Sequence, residues 1–373
     1  MRRLAYLVGY CAAYEFEDLA AELTGASVAV PEDTPRLQLS RRSYRAARQI
    51  TGSRRLASAL CGAPSLPVDG TYDLFLAQFN HPHELFVLNA VEGWRRRCGF
   101  AVCYLGEAWE HLLPVYLLEL LRDFDHVFVG VRGASDCIAR ITGRPCSYLP
   151  MGVDALRFCP CPQAPARTID VCGLGRRSVV THAALLDLAQ RSGIFYYYDT
   201  VRSSPRKGLS AQMTFQVSDH REHRLLLANL LRRSRYFIVN RAWADEPVRT
   251  RGKDEIAARF YEGAAAGAVL LGNPPDTDDF RAQFSWTDAV VPIPFDAPNV
   301  GEVIARLDAD PVRTARIRQD NVVHALLEHD WVYRLREVLH WAGLPPGRRL
   351  LAREERLARM ADEVRRAPCL SSP

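Results

Sequence analysis

Short apolar runs alternate with helical segments along this chain, and the alternation limits the fold more than any other feature. An apolar run such as Asp73–Phe79 is typical of a buried strand, because helices cover both faces of a parallel sheet. The strands predicted in the first half are Leu4–Tyr10, Ser27–Val30, Asp73–Phe79, Ala101–Leu105 and His126–Gly130. Helical patterns lie between them, so the sequence predicts an α/β fold with a doubly wound parallel sheet.

A second set of strands and helices follows a proline-rich stretch. The segment Phe158–Pro165 (FCPCPQAP) is poor in periodic pattern, which is typical of a linker. Strands are predicted at 169–172, 195–198, 236–240 and 268–271. We therefore expect a first domain over 1–154, a linker over 155–168, a second domain over 169–345 and a helical tail over 346–373.

Composition makes several classes of protein less plausible. The chain has 373 residues, of which 48% are hydrophobic and 24% charged, as in a soluble two-domain protein. Its net charge of +5 comes from 48 basic and 43 acidic residues, so nucleic-acid binding is not indicated, although one basic helical stretch covers Arg41–Leu60. No apolar run long enough to span a membrane is present. The ten cysteines form no CxxC pair and no signal peptide is evident, so we expect a cytoplasmic protein.

The segment Arg251–Gly272 (RGKDEIAARFYEGAAAGAVLLG) carries the clearest chemical signal. A polar run leads into a predicted amphipathic helix, a turn of small residues and a buried strand. Asp254 and Glu262 are eight residues apart, which on a helix puts them about 80° apart, near one face. One carboxylate there can bind a ribose diol and the other can lie near a reacting sugar. This is the chemistry of a nucleotide-sugar site.

Together these residues resemble the GT-B glycosyltransferases. That family has two Rossmann-like domains with parallel sheets facing across a cleft, and a Gly-Val-Asp turn before the linker, which here is Gly152–Asp154. It also has two acids eight residues apart before a small-residue turn, which here are Asp254 and Glu262. The branch with a helical His-x-x-x-x-Arg pattern, here His329–Arg334, is the more similar one. The resemblance implies an acceptor-side first domain and a second domain that binds the nucleotide-sugar.

The resemblance assigns roles to the acidic segment. Glu262 would bind the ribose hydroxyls, with a surface ion pair to Arg259 as the alternative, and Arg259 is included in the predicted donor site. Either Asp254 or Glu255 would lie near the donor sugar, since Asp254 stands where the family has Glu. The alternative for Asp254 is a helix N-cap. Arg251 and Lys253 precede a predicted helix N-terminus, which would favour a diphosphate.

A glycine-containing loop after the first strand of the second half is the next candidate. Gly173 and Gly175 stand between a predicted strand and a helix. Arg176 and Arg177 follow, where GT-B enzymes place a cation on the leaving diphosphate. A cation there makes a metal unnecessary, so we expect no metal and no cofactor besides the nucleotide-sugar co-substrate. A glycine turn with exposed arginines is the alternative.

Candidates on the acceptor side lie in the first half. His81 follows the strand Asp73–Phe79, and the resemblance implies that it lines the acceptor or sugar site. Glu107 follows the strand Ala101–Leu105 and is a candidate base, with a salt bridge as the alternative. Gly9 and Tyr10 are further candidates for contact with the acceptor.

The sequence thus predicts a GT-B glycosyltransferase that moves a sugar from a nucleotide diphosphate to an unidentified acceptor. The resemblance leans towards retention of the anomeric configuration. A non-hydrolysing nucleotide-sugar epimerase and a catalytically silent nucleotide-sugar-binding protein remain as alternatives. We expect no nucleic-acid partner and no transmembrane segment, and the sequence leaves a homo-oligomer open.

Overall fold

The chain divides into two compact units. The computed structural model describes residues 11–29, 35–199 and 220–366. One unit consists of residues 1–151 with 334–349, and the other of residues 152–333 with 350–373. Each unit contains a parallel sheet with helices, so the predicted α/β fold class with two parallel sheets is confirmed.

The first unit is built on a four-stranded parallel sheet in the order β1-β2-β3-β4. Its strands are β1 (Tyr72–Phe79), β2 (Cys98–Leu105), β3 (His126–Val129) and β4 (Cys146–Tyr148). In the part of this unit up to residue 151, the described helices are α1 (Cys11–Thr24), α2 (Pro35–Thr51), α3 (Arg54–Leu60), α4 (Val115–Leu118) and α5 (Ser135–Thr142), with 3-10 helices at Pro82–Ala90, Trp94–Arg97, Glu110–Leu112, Glu119–Asp123 and Arg132–Ala134.

The apolar runs form these strands because both faces of the sheet are covered. The register aligns Phe79 with Leu105 and Leu105 with Val129, and all three are buried in one core with helix residues such as Tyr44. On the opposite face, Trp341 packs on His126 with their ring centroids 3.8 Å apart. This contact belongs to the first unit, which includes residues 334–349, whereas the sequence pattern assigns residues 334–345 to the second domain and 346–349 to the tail.

The structure describes neither of the two strands predicted near the start of the chain as a strand. The predicted strand Leu4–Tyr10, with the acceptor candidates Gly9 and Tyr10, lies outside the described residues. Of the second predicted strand, Ser27–Val30, the residues 27–29 are described and form no regular element, so this prediction is wrong for them.

The second unit is built on a five-stranded parallel sheet in the order β6-β5-β7-β8-β9. Its strands are β5 (Ile169–Gly173), β6 (Tyr196–Tyr198), β7 (Ser234–Asn240), β8 (Val269–Asn273) and β9 (Val291–Pro292). The remaining helices are α6 (Ala155–Phe158), α7 (Val179–Ser192), α8 (His220–Arg232), α9 (Pro247–Thr250), α10 (Ala258–Ala265), α11 (Asp278–Gln283), α12 (Val300–Asp308), α13 (Pro311–His324), the π-helical turn Ala325–His329, α14 (Trp331–Trp341) and α15 (Arg348–Arg366).

The strand order of the second sheet reverses between β5 and β7. The chain runs from β5 outwards to β6 and then returns to the other side of β5 to form β7. Loops leave the sheet in opposite directions at such a point, and ligands of open α/β sheets bind in the resulting crevice at the carboxyl ends of the strands.

The turn Gly152–Asp154 is held by residues that come much later in the chain. The backbone of Val153 pairs with His329 and Trp331, with N···O distances of 3.0 and 3.2 Å. A side chain on Gly152 would come within 2.9 Å of the Trp331 ring, so this position needs glycine. The Gly-Val-Asp pattern is thus explained by packing inside the second unit.

Helix α15 packs on the second unit through apolar residues and one arginine. Its residues Leu350, Leu357, Ala361 and Val364 are buried. Arg353 donates to both carboxylate oxygens of Asp330, at 2.9 and 2.7 Å, and to Asp154 Oδ1 at 2.6 Å. Within the described residues, no helix is long and apolar enough to cross a membrane.

Candidate functional site

A pocket opens where the strand order of the second sheet reverses. It lies at the carboxyl ends of β5 and β7. Its lining residues are Gly173, Leu174, Arg176, Arg177, Ser178, Thr181, His182, Leu185, Tyr196, Ile238 and Asn240. The structure therefore brings together three of the predicted donor-site residues, Gly173, Arg176 and Arg177, at the place where the topology favours a ligand.

The loop between β5 and α7 depends on its two glycines. Gly175 has φ +78°, a conformation that side-chain-bearing residues rarely adopt. A Cβ on Gly173 would lie 3.0 Å from the hydroxyl of Tyr196, closer than most real Cβ contacts. The N–H of Gly175 donates to Oδ1 of Asp199 at 2.9 Å, and Asp199 is buried. The loop is thus held against the end of β6.

Helix α7 begins at this loop with a well-ordered N-terminus. The Ser178 hydroxyl accepts from the N–H of Thr181 at 3.1 Å and donates to Asp296 at 2.5 Å. The Thr181 hydroxyl donates to the carbonyl oxygen of Phe295 and accepts from the N–H of Ala297. The positive end of the helix dipole therefore points into the pocket, where it favours an anion.

Arg177 is held at the edge of the pocket. Its Nη1 donates to the backbone carbonyl oxygen of Asp199 at 2.5 Å and lies 3.7 Å from the Asp199 carboxylate. The guanidinium also lies 5.2 Å from the centre of the Tyr198 ring. These contacts fix the direction of the side chain, which presents a planar cation to the pocket.

Arg176 has closer acidic partners. Its Nη1 lies 3.0 Å from both carboxylate oxygens of Asp245 and 2.6 Å from Glu246. Its guanidinium lies 3.7 Å from the ring centre of Trp243, which Arg249 approaches to 3.3 Å. Two carboxylates thus compensate the charge of Arg176, whereas Arg177 has a single carboxylate at a longer distance. Arg177 is the better placed of the two to meet a new anion.

The pocket also contains a neutral imidazole. His182 and the Tyr196 hydroxyl form a hydrogen bond of 3.0 Å, and the ring of Tyr198 lies at 4.8 Å. Burial and the charge of Arg177 lower the pKa of His182, so its uncharged form dominates at neutral pH. His182 therefore adds a hydrogen-bonding group to the pocket without adding charge.

The segment that contains Asp254 and Glu262 is helical over a shorter range than predicted. Helix α10 begins at Ala258, and Asp254 lies in the preceding irregular stretch, so the two acids do not share a helix face and that prediction is wrong. The N-cap residue is Ala257, which makes no side-chain cap, so the alternative N-cap role of Asp254 is wrong as well. The left-handed backbone of Arg251, with φ 53°, and the following Gly252 turn the chain before the helix starts.

This segment is fixed beside the end of β7. Arg241 Nε lies 3.1 Å from Asp254 Oδ1, and the N–H of Ala242 donates to the carbonyl oxygen of Glu255 at 2.9 Å. Both contacts directly follow Asn240, which lines the pocket. Asp254 and Glu255 therefore lie near the same sheet edge as the pocket. Arg251 and Lys253 are exposed.

Glu262 lies in a buried ion-pair cluster. Its side chain is 2% exposed, its Oε1 pairs with Arg224, which is 1% exposed, and its Oε2 pairs with Arg259 at 2.7 Å. Phe158 lies 4.7 Å from the Arg224 guanidinium. Burial alone would raise the pKa of Glu262, but the charges and hydrogen bonds of Arg259 and Arg224 outweigh it and lower the pKa from 4.5 to about 2. The ion pair with Arg259 is present, although it is buried and not on the surface.

The first-unit candidates occupy the carboxyl end of that sheet. His81 accepts from the N–H of His83 at 3.3 Å, and the two rings stack with centroids 4.9 Å apart. The N–H of Glu107 donates to the carbonyl oxygen of Asn80 at 2.6 Å, so the loops after β1 and β2 meet. In the parts of the chain that the structure describes, no group of three or more His, Cys, Asp or Glu side chains is arranged to hold a metal ion.

Sequence reasoning missed several pocket residues. Asn240, Thr181 and Tyr196 line the pocket. Asp199 holds the loop between β5 and α7 by accepting from the N–H of Gly175. Asn240 ends a predicted strand, but only the strand order shows that β7 neighbours β5. The sequence does show the pattern Tyr-Tyr-Tyr-Asp at Tyr196–Asp199, at the end of a predicted strand, and this pattern could have pointed to Tyr196 and Asp199.

Comparison with known proteins gives one family match. Residues 214–340 match the model of the family described as "Glycosyl transferase-like", and no curated protein matches the chain. Among solved structures, TarM shares 10% identity over 72% of this chain and 54% of its own, with a TM-score of 0.46. The chain thus spans about half the length of TarM.

Two further structures cover nearly the whole chain. A glycosyltransferase from Rickettsia africae ESF-5 shares 11% identity over 91% of this chain and 96% of its own, with a TM-score of 0.45. Anabaena Alr3699/HepE, solved in complex with UDP-glucose, shares 12% identity over 91% and 98%, with a TM-score of 0.49. At such identities the likeness says nothing about ligand or reaction. The match of residues 214–340 to a glycosyl transferase-like family agrees with the resemblance to GT-B enzymes.

Proposed function

We propose that this chain is a glycosyltransferase that uses a nucleotide-diphosphate sugar as donor. The observation that carries the proposal is the pocket between β5 and β7, which combines a glycine loop, the N-terminus of a 14-residue helix and Arg177. Loop, helix dipole and planar cation each favour a phosphate group. The match of residues 214–340 to a glycosyl transferase-like family supports the same reaction class.

The proposed chemistry is the displacement of a nucleoside diphosphate. An acceptor hydroxyl or amine forms a bond to the anomeric carbon of the donor sugar on the face that the diphosphate leaves, while the bond from that carbon to the phosphate oxygen breaks. The electron pair and the negative charge leave with the diphosphate. Arg177 and the N-terminus of α7 would stabilise that charge as it develops. We propose that this stabilisation needs no metal ion.

The remaining predicted residues have roles within this proposal. The proton of the acceptor would pass to a base, and Glu107 is our candidate in the first unit, with His81 beside the acceptor. Asp254 or Glu255 would lie near the donor sugar, and retention of the anomeric configuration is part of the proposal. Both carboxylate oxygens of Glu262 are already paired with arginines. Glu262 would therefore bind the ribose hydroxyls only if Oε2 gave up its ion pair with Arg259.

The test is a thermal-shift screen of the full chain against the UDP, GDP, ADP, TDP and CDP sugars. A ligand that binds only the native state raises the melting temperature by mass action. We expect one nucleotide series to raise it, with the free diphosphate retaining most of the effect. Failure of every nucleotide to do so would contradict the proposal.

Product analysis then separates the reaction classes. With the binding nucleotide-sugar and no acceptor, a transferase releases the nucleoside diphosphate slowly by hydrolysis. An epimerase returns an isomeric nucleotide-sugar, and a silent binding protein returns the donor unchanged. We expect hydrolysis, and either of the other two results would overturn the assignment.

A further inference from the structure

Helices α2 and α3 of the first unit form the most one-sidedly charged segment of the described chain. Residues 35–60 carry seven arginines and no aspartate or glutamate. The arginines are Arg36, Arg41, Arg42, Arg45, Arg48, Arg54 and Arg55. The net charge of +5 for the whole chain therefore hides a strong local excess of positive charge.

Two of these arginines serve the fold of the unit. Arg48 pairs with Glu119 at 2.6 Å, and Arg54 pairs with Asp123 at 2.5 Å. The other five have no ion pair among the residues that the structure describes, and Arg36, Arg42, Arg45 and Arg55 are exposed. A cluster of arginines without ion pairs attracts a polyanionic partner.

The same segment exposes large aliphatic side chains. Helix α2 buries Leu37, Ser40 and Tyr44, so its opposite face points outwards. Leu39 and Ile50 lie on that outward face, 63% and 84% exposed. They are eleven residues apart and differ by about 20° around the helix.

Helix α3 also exposes large aliphatic side chains. It buries Ala57 and exposes Leu56 and Leu60, at 53% and 64%. Four large aliphatic side chains thus stand among five unpaired arginines, in a segment of two helices. We call this set of nine residues the α2–α3 surface.

We propose that the α2–α3 surface binds the face of an anionic lipid bilayer. Arginines of an interfacial helix contact anionic headgroups, while its aliphatic side chains enter the boundary between headgroups and acyl chains. A nucleic acid complements the arginines but offers no apolar layer for Leu39, Ile50, Leu56 and Leu60, so the combination favours a membrane. The inference goes beyond the proposed function and does not depend on it.

Vesicle co-sedimentation of the full chain tests this proposal without any nucleotide-sugar. We expect binding to vesicles that contain phosphatidylglycerol, weaker binding at raised salt and little binding to pure phosphatidylcholine. Absence of binding to phosphatidylglycerol vesicles, or equal binding to both lipids, would overturn the proposal. Binding to RNA without binding to these vesicles would overturn it as well.

Two pairs of substitutions locate the surface. Arg42→Gln with Arg45→Gln, and separately Leu39→Ser with Ile50→Ser, change exposed side chains. Each pair is expected to weaken vesicle binding on the order of tenfold. The matched control is Arg356→Gln with Arg359→Gln, which removes the same charge from the exposed side of α15.

We expect each variant to keep the melting temperature of the wild type, because the changed residues are on the surface; this control checks that the fold is intact. Retention of wild-type vesicle binding by both α2 variants would overturn the proposal. Equal loss in the α15 control would also overturn it, because overall charge would then explain the binding. Nucleotide binding measured on the same preparations reports on the proposed function separately.

Discussion

The guanidinium of Arg177 donates to the backbone carbonyl oxygen of Asp199, and the carboxylate of Asp199 accepts from the N–H of Gly175. One buried residue at the end of β6 thus fixes both the loop and the cation of the pocket. The groups that we propose for phosphate binding are therefore positioned before a ligand arrives, which lowers the ordering cost of binding.

Replacement of Asp199 by alanine is predicted to loosen this loop. The N–H of Gly175 would lose its acceptor, at a cost of about 1–3 kcal/mol if the group stays buried. We expect nucleoside-diphosphate affinity to fall on the order of tenfold in isothermal titration calorimetry. Asp199→Asn keeps an acceptor oxygen and should lose less. Equal, wild-type affinity in both variants would exclude a positioning role for Asp199.

Replacement of Glu262 by glutamine is predicted to destabilise the second unit. Arg224 is buried and would lose its charged partner, and breaking a buried pair in this way typically costs about 3–5 kcal/mol. Urea unfolding measures the loss. Glu302→Gln, on the exposed side of α12, is the matched control and should change stability by less than about 0.5 kcal/mol. A stability loss as small as that of the control would show that the cluster contributes nothing.

The same residue sets a pH dependence. The folded-state pKa of Glu262 is about 2, below its ordinary value of 4.5, so its contribution to stability is complete above pH 4.5. The contribution falls as pH decreases from 4.5 towards 2, because the unfolded chain then binds the proton first. Its full size is about 3 kcal/mol. The stability difference between wild type and Glu262→Gln should therefore shrink over this range, and a difference that stays constant would contradict the ion-pair account.

Replacement of Arg353 by alanine is predicted to release helix α15. Asp330 and Asp154 would lose a shared cation in a largely buried place, at a cost of about 3–5 kcal/mol. Arg353→Lys should recover little, since an ammonium group does not reproduce the bidentate contact with Asp330. Arg356→Ala, exposed on the same helix, is the control. Urea unfolding again measures the change, and equal stability of the Arg353 and Arg356 variants would refute this role.

The sequence predicted much of the architecture because local signals agree with the final packing. The run Asp73–Phe79 forms most of β1, and the tail Arg348–Arg366 forms α15. The run is apolar along most of its length, and the tail carries a helical period and buries the side that this period indicates. The strand predicted at Ser27–Val30 failed over 27–29, where nothing beyond a short apolar run supported it.

The site was less predictable because it depends on long-range contacts. Glu262 forms an ion pair with Arg224, which is 38 residues away in the sequence. A local sequence pattern does not predict a buried ion pair between residues so far apart. Asp254 lies outside α10 because the helix starts at Ala258, after the left-handed turn at Arg251. The pocket requires the order β6-β5-β7, which the strand runs alone do not contain.

The most direct measurement of the central claim is nucleoside-diphosphate affinity in wild type and in Arg177→Gln. A hydrogen bond to a charged group contributes about 1.5–3 kcal/mol, so the account predicts a loss of affinity on the order of ten- to a hundredfold. Arg191→Gln removes an equal charge from the exposed end of the same helix and should bind as wild type does. Equal affinity of the Arg177 and Arg191 variants would contradict the claim that the pocket between β5 and β7 holds the donor diphosphate.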